Sequence, residues 1–358
     1  MLLKTQSQLT LILSMICSVY CKSKACETFE ENTIFAVDHR GHVMNRTIDG
    51  CIEYSDFIGY HIVQVTVKHQ YLDTLGRECV RDMPFLKRLI FQHCEITKID
   101  SKFLSNLPKL EYLEIFGGEL DTLKKNLFDE VPEITTISVH DTLLCDIRNE
   151  ALGYMPSLKR VSLYRNHLEF INKDWFTGSE NIQIMDISFN KITTISRNTF
   201  RYLKNLRELY LDFNNLELLE TAAFNGLQNL RFLGLRYNKL KTLDADVFPT
   251  TTKIGRLDIG ANSLNYLSPE LRKILEVGSI VLDANPWMCY CYFQITEWLN
   301  STNARLEPSR YCPDIPFCYS TSSNVTDCAE SDGEEVSRGY FVALRTLGTI
   351  NPYCARES

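Results

Sequence analysis

The stretch "LRELYLDFNNL", residues 206–216, is followed by "LRFLGLRYNKL", residues 230–240, which begins 24 residues later. Both place apolar residues in the pattern L-x-x-L-x-L-x-x-N-x-L. Stepping back by 24 gives "IQIMDISFNKI" from Ile182, "LKRVSLYRNHL" from Leu158, "ITTISVHDTLL" from Ile134 and "LEYLEIFGGEL" from Leu110. Further back lie "LKRLIFQHCEI" from Leu86 and "IVQVTVKHQYL" from Ile62. "IGRLDIGANSL" from Ile254 follows the quoted pair, making nine units, and "VGSIVLDANPW" from Val277 is an incomplete tenth after one deleted residue. The L-x-L core reads as a short strand, with alternate side chains turned in and out. No such unit buries its apolar face alone, so the units must stack into a solenoid.

Two further columns share the period. Asn166, Asn190, Asn214, Asn238 and Asn262 stand just after the strand, where a side-chain amide can satisfy backbone groups leaving the sheet. Gln70, Cys94, Gly118 and Thr142 replace them in the early units. Leu104, Phe128, Leu152, Phe176, Phe200, Phe224 and Phe248 form an apolar column, read as core on the convex side.

These repeats resemble the 24-residue subfamily of extracellular leucine-rich repeat proteins, over about Ile62 to Cys312. The resemblance implies an α/β solenoid, a horseshoe with a concave parallel β-sheet and disulfide-stapled caps at both ends. The expected organisation is a signal peptide at 1–22, an N-terminal cap at 23–61, nine repeats at 62–279 and a C-terminal cysteine-rich cap with an acidic loop at 280–358.

The 358 residues are 44% hydrophobic and 23% charged, an ordinary globular balance. Net charge is −7 and no long basic run exists, which argues against a nucleic-acid partner. The N-terminus, "MLLKTQSQLTLILSMICSVYCKSKAC", has one Lys before an apolar run from Leu9 to Tyr20, a secretory pattern with cleavage expected between Cys21 and Ala25. "GYFVALRTLGTI", residues 339–350, is short and carries Arg345, so no membrane anchor is expected and the protein reads as secreted and extracellular.

Secretion favours paired cysteines. Thirteen are present, and losing Cys17 and Cys21 with the signal leaves an odd eleven. Cys289 and Cys291 follow "NPW" and precede "EWL". Their spacing suits neither zinc nor a redox C-x-x-C pair, and no His follows His167. The motif resembles the family's C-terminal cap, which implies two interlaced disulfides around a short helix, here Phe293 to Asn300. After Cys312 the chain departs from the family pattern, and Cys318, Cys328 and Cys354 all compete for the remaining role. The assignment adopted is Cys289–Cys312, Cys318–Cys328 and Cys291–Cys354. Cys26 and Cys51 are expected to close a hairpin cap, and Cys79 and Cys94 are a candidate pair. Cys145 is then left over. Adjacent strands are about 4.8 Å apart, so Cys94 lies about 10 Å off, beyond the roughly 7 Å a disulfide spans. Cys145 is therefore free or bonded to another chain, and a disulfide-linked dimer is predicted.

Glycosylation sequons occur at Asn45, Asn300 and Asn324, all in the caps. Catalytic signatures are missing, so neither an enzyme nor a cofactor nor a metal is expected. "HRGH" at His39–His42 reads as a solvated turn. The outward strand positions of the regular units are Arg160, Ser162, Tyr164, Asp186, Ser188, Glu208, Tyr210, Asp212, Phe232, Arg236, Arg256 and Asp258. Their aromatic and charged composition is that of a protein interface, so a protein ligand on the concave face is expected. Phe189, Phe213 and Tyr237 form a column at the strand edge, explained equally by lateral packing and by ligand contact. The irregular early units, the reduced N-terminal cap and the odd cysteine resemble the leucine-rich immune proteins of mosquitoes that lack a coiled-coil tail. That likeness implies innate-immune recognition with a complement-like thioester partner. The alternative is a secreted developmental or matrix modulator of a receptor or growth factor.

Overall fold

The computed structural model describes residues 28–308, Cys318, Cys328 and residues 333–346. The signal stretch, Cys26, Cys312, Cys354 and the Asn324 sequon lie outside the described residues. A single 13-stranded sheet organises the chain. Its strands are β1 (Phe29–Asp38), β2 (Val43–Gly50), β3 (Ile62–Lys68), β4 (Arg88–Gln92), β5 (Tyr112–Phe116), β6 (Thr136–His140), β7 (Arg160–Ser162), β8 (Ile184–Asp186), β9 (Glu208–Tyr210), β10 (Asn229–Gly234), β11 (Thr252–Asp258), β12 (Leu275–Val281) and β13 (Arg305–Leu306). From β3 onward all pairings are parallel and follow chain order.

The sequence period is the pairing register. Arg160 lies between Thr136 and Ile184, and Glu208 between Ile184 and Phe232, each a 24-residue step. Between β11 and β12 the partners are Asp258 and Val281, a 23-residue step that absorbs the deletion. Inward residues such as Val161, Leu163, Leu209 and Leu211 are fully buried. The phenylalanine column is core, from Leu104 to Phe248, with Phe200 stacked on Phe224 at 6.0 Å and Phe224 on Phe248 at 5.0 Å.

The asparagine ladder does what the sequence suggests and runs one unit further, to Asn285. Asn190 shows the pattern. Its Nδ2 donates to Leu163 O (2.9 Å) and Ile187 O (3.1 Å), and its Oδ1 accepts from Leu168 N (3.0 Å). One buried amide thus joins two adjacent turns and satisfies backbone groups that leave the sheet. Cys94 holds the same position, and its thiol donates to Val67 O (3.5 Å) and Gln92 O (3.6 Å). At Gly118 a Cβ would lie 2.4 Å from Cys94 O, so only glycine fits that rung.

The ends are closed differently. At the start, β1 pairs antiparallel with both β2 and β3, so a hairpin lies against the first repeat. Its turn holds "HRGH", with Gly41 at φ 84° and the Asp38 carboxylate accepting from the backbone N–H of Arg40 and His42. Cys51, after β2, is disulfide-bonded. At the other end lie α1 (Pro269–Ile274), α2 (Cys289–Thr302) and α3 (Gly333–Thr346). Helix α2 is longer than the Phe293–Asn300 expected, because it starts at the cysteines themselves. It stops at Asn303, a left-handed residue at φ 56°. Trp287 is fully buried beneath it, with Nε1 donating to Leu282 O (2.7 Å). Helix α3 seats Tyr340, Phe341 and Leu344 on Ala284, beside Ala261.

The cysteine assignments need correction. Cys289 pairs with Cys318 and Cys291 with Cys328, an interlaced arrangement unlike the one adopted from sequence. Two residues apart in the first turn of α2, the two side chains leave on opposite sides of the helix, so each meets a different later cysteine. Cys79 and Cys94 are free and buried. Cys94 is held in the ladder after β4, while Cys79 is fully buried on the opposite flank of the coil, beside the Ile52–Val80 bridge. Cys145 is free and exposed, its thiol 3.6 Å from Asp121 O. Asn45 on β2 and Asn300 on α2 are both exposed.

Candidate functional site: the concave face

Each repeat offers the concave face three strand positions and one edge position. The register aligns them into rows across the sheet. One row reads Asp186, Tyr210, Gly234, Asp258, and the next reads Ser188, Asp212, Arg236, Gly260, Asp283. The edge residue of every unit from His69 to Ala284 has positive φ, including Phe189 (55°), Phe213 (56°) and Tyr237 (53°). This left-handed kink ends each strand and turns the edge side chain along the flank of the sheet. The rings of Phe189, Phe213 and Tyr237 stack at 4.2 and 4.3 Å, and Phe189 stays 41% exposed.

Beside this stack is a cleft of about 290 Å³, lined by Ser188, Phe189, Tyr210, Asp212, Phe213, Phe232, Arg236, Arg256, Asp258 and Val281. Of the residues singled out from sequence, the structure brings Tyr210, Asp212, Phe232, Arg236 and Asp258 together here. Glu208 adjoins them by accepting from the Tyr210 hydroxyl (3.0 Å). Asp186 lies across the strand pair from Tyr210, its Oδ1 bonded by the Ser188 N–H (3.0 Å) and hydroxyl (2.5 Å). Arg160 and Tyr164 stand further along the face.

Three of the expected outward groups, Ser188, Arg236 and Asp258, are largely enclosed. Arg236 is 3% exposed and forks onto Asp283, Nη1 to Oδ1 at 2.7 Å and Nη2 to Oδ2 at 2.5 Å, with Asp258 Oδ1 at 3.5 Å. Its chain lies over Gly260, where a Cβ would come within 2.1 Å of Nη1. Likewise a Cβ on Gly234 would lie 2.1 Å from Asp212 Oδ2. These glycines let long polar side chains lie flat on the sheet. Burial, and then the charge of Asp258, pushes the Asp212 carboxyl up to about 7, against the lowering effect of the Arg236 backbone N–H at 2.9 Å. Burial also raises Asp258, with Arg236 opposing. Burial and the Glu208 bond push Tyr210 up to about 12.

The early units hold a cluster that the regular repeats did not draw attention to. His140 stacks between Phe116 (5.1 Å) and Tyr164 (4.4 Å) and contacts Glu114 (Nε2, 3.1 Å) and Asp141 (Nδ1, 3.0 Å). Burial lowers its pKa, but the bonds to Glu114 and Asp141 outweigh that and raise it. The Arg88 guanidinium lies 3.9 Å from the Tyr112 ring centre in the same area. The 24-residue spacing of Phe116, His140 and Tyr164 was the available signal. Among the described residues no group of three or more His, Cys, Asp or Glu could hold a metal, and no helix is long and apolar enough to cross a membrane.

A stack of parallel strands in 24-residue register, with an amide ladder and capped ends, defines a repeat solenoid. The family model described as "Leucine rich repeat" matches residues 132–192, 156–216 and 204–264, and that described as "BspA type Leucine rich repeat region (6 copies)" matches 50–159. The chain is a leucine-rich repeat protein. No curated protein matches it in sequence. Among solved structures it is similar to the "TLR13-ssRNA13 complex", at 22% identity and TM-score 0.54, over 70% of this chain and 33% of that one. It is also similar to the Drosophila "Toll - Spatzle complex", at 18% identity and TM-score 0.57, over 75% of this chain and 40% of that one. The chain thus spans well under half of either, and at these identities the likeness is one of fold.

Proposed function

We propose that this protein is an extracellular recognition scaffold that binds a protein ligand through the concave face of its later repeats. The observation that carries this is the cleft between Tyr210, Asp212, Phe213 and Phe232, which combines half-buried rings, beside the exposed Phe189, with carboxylates. Aromatic side chains beside fixed charges are what protein interfaces concentrate. The interlaced disulfides of the cap favour an oxidising compartment, and so secretion. The TLR13 structure is that of a complex with ssRNA13. A phosphate backbone would meet Asp186 and Asp212 here and be repelled, so a protein is the better partner.

Within this class we adopt innate-immune recognition with a complement-like partner, from the resemblance to the mosquito proteins. A developmental or matrix modulator is the alternative. Abundance in body fluid after infection favours the first and patterned tissue expression the second. Cys145, exposed on the flank, is where we place a disulfide to a second chain.

The test is capture of partners from body fluid by the secreted protein. Tyr210→Ala with Asp212→Ala is expected to remove the partner while thermal unfolding stays cooperative. Loss of the partner on a convex-face change such as Glu217→Lys, with the concave pair harmless, would identify the wrong surface.

A further inference from the structure

The cleft carries a negative charge that the protein itself leaves unmatched. Asp283 is held by Arg236, and Asp258 has Arg236 at 3.5 Å and Arg256 at 3.9 Å. Arg256 is also engaged by Glu307 at 2.7 Å, and Glu208 has Arg231 at 3.8 Å. Asp212 has no cation within 4 Å among the described residues. The Arg236 backbone N–H donates to its carboxylate, while the Arg236 side chain turns away to Asp283. Among the described residues Asp186 likewise has no cation within 4 Å, and its carboxylate is bonded by Ser188.

The walls suit a cation with an alkyl stem. Phe189 and Phe213 stack along one side, and Tyr210 and Phe232 lie 4.7 Å apart on the other. Ring faces attract cations, and lysine and arginine stems pack on apolar surface while the charged head seeks a polar site. The protein's own arginines already use these rings. Arg165 lies 5.4 Å from the Phe189 centre and Arg256 5.6 Å from that of Phe232. Gly234 leaves the room in which the Asp212 carboxylate lies flat on the floor of the cleft.

We propose that the cleft receives a basic side chain, lysine or arginine, projecting from the protein ligand, with its cation on Asp212 and its stem between the two aromatic walls. This rests on the reading that the concave face binds a protein, and it names the chemistry of that contact. The charged and titratable groups around Asp212 are Asp186, Glu208, Tyr210 and Asp258 on the acidic side and Arg236 and Arg256 on the basic side. Because burial, and then the charge of Asp258, holds Asp212 near 7, an arriving cation ionises it and expels a proton below neutral pH. Binding therefore strengthens between pH 6 and pH 8.

The experiment uses the full secreted chain and a fluorescent hexalysine peptide, read by anisotropy at physiological salt. An Nε-acetylated hexalysine is the uncharged control. Asp212→Asn keeps the shape and removes the charge, and relief of a buried acid keeps it folded. It is expected to weaken hexalysine binding tenfold or more. Asp244→Asn, an exposed acid outside the cleft, is expected to change nothing. Equal binding by wild type and Asp212→Asn, or equal binding of the acetylated peptide, overturns the proposal. If that happens while the Tyr210 and Asp212 double variant still loses its captured partner, the concave reading stands without the basic contact. If the double variant keeps its partner, both fall.

Discussion

Arg236 and Asp283 form a two-bond ion pair that spans two repeats and passes over the bare backbone of Gly260. Both groups are almost fully enclosed, so neither charge has water to fall back on. Removing one partner of such a pair leaves the other buried and unmatched, at a cost of about 3–5 kcal/mol. Asp283→Ala should therefore lower the thermal midpoint strongly. Gly260→Val should act in the same direction by displacing the guanidinium. Calorimetry checks both, and unchanged midpoints would mean that the pair is not enclosed in solution.

Asp212 makes stability depend on pH in the unusual direction for an acid. Its folded pKa, about 7, is raised above the unfolded value near 3.8. The folded state therefore binds its proton more tightly, and this contribution is present at low pH and lost as pH rises through about 7. Asp212→Asn should match wild type only below about pH 3.8, gain on it progressively up to about pH 7, and exceed it by a constant margin at pH 8. Each kcal/mol corresponds to about 2–4 °C in a domain of this size. A gain at pH 5 equal to that at pH 8 would contradict the assignment.

The ladder predicts unequal costs at one structural position. Asn190→Ala strips four backbone groups of a buried partner, so a loss of about 3 kcal/mol or more is expected. Cys94 supplies only weak thiol bonds at its rung. Cys94→Ala should cost about 1 kcal/mol, since a thiol is a weak donor. Denaturant midpoints of the two variants decide the order.

The free thiols differ in access. Burial pushes the Cys79 thiol up to about 12 and raises that of Cys94, so both should resist alkylation until the protein unfolds. Cys145 is exposed. Non-reducing electrophoresis of the secreted protein should show a band at twice the monomer mass that collapses on reduction and is absent in Cys145→Ser. A monomer that takes up alkylating agent at Cys145 would remove the dimer.

The fold was legible because one period controls strand pairing, ladder and core at once. Asn190 and Phe200 could be placed from spacing alone. The site was legible only by position. Which face Arg236 occupies follows from the register, but its pairing with Asp283 depends on a glycine one repeat away, and no spacing rule conveys that. The His140 cluster was missed because its repeats lack the ladder asparagine that marks the regular ones. Cysteine connectivity failed because pairing depends on how α2 aims Cys289 and Cys291, a three-dimensional fact. The helix began earlier than expected because its first turn is anchored covalently rather than by a capping side chain.

The central claim is that the concave face of the later repeats meets the protein ligand. Hydroxyl-radical footprinting of the captured complex against the free protein tests it most directly, because it reads individual exposed side chains. Phe189, Tyr210, Phe213 and Phe232 should be protected in the complex, while Leu218 and Tyr154, exposed away from the cleft, should be oxidised as before. Protection of Leu218 and Tyr154 with the four cleft rings unchanged would contradict the account.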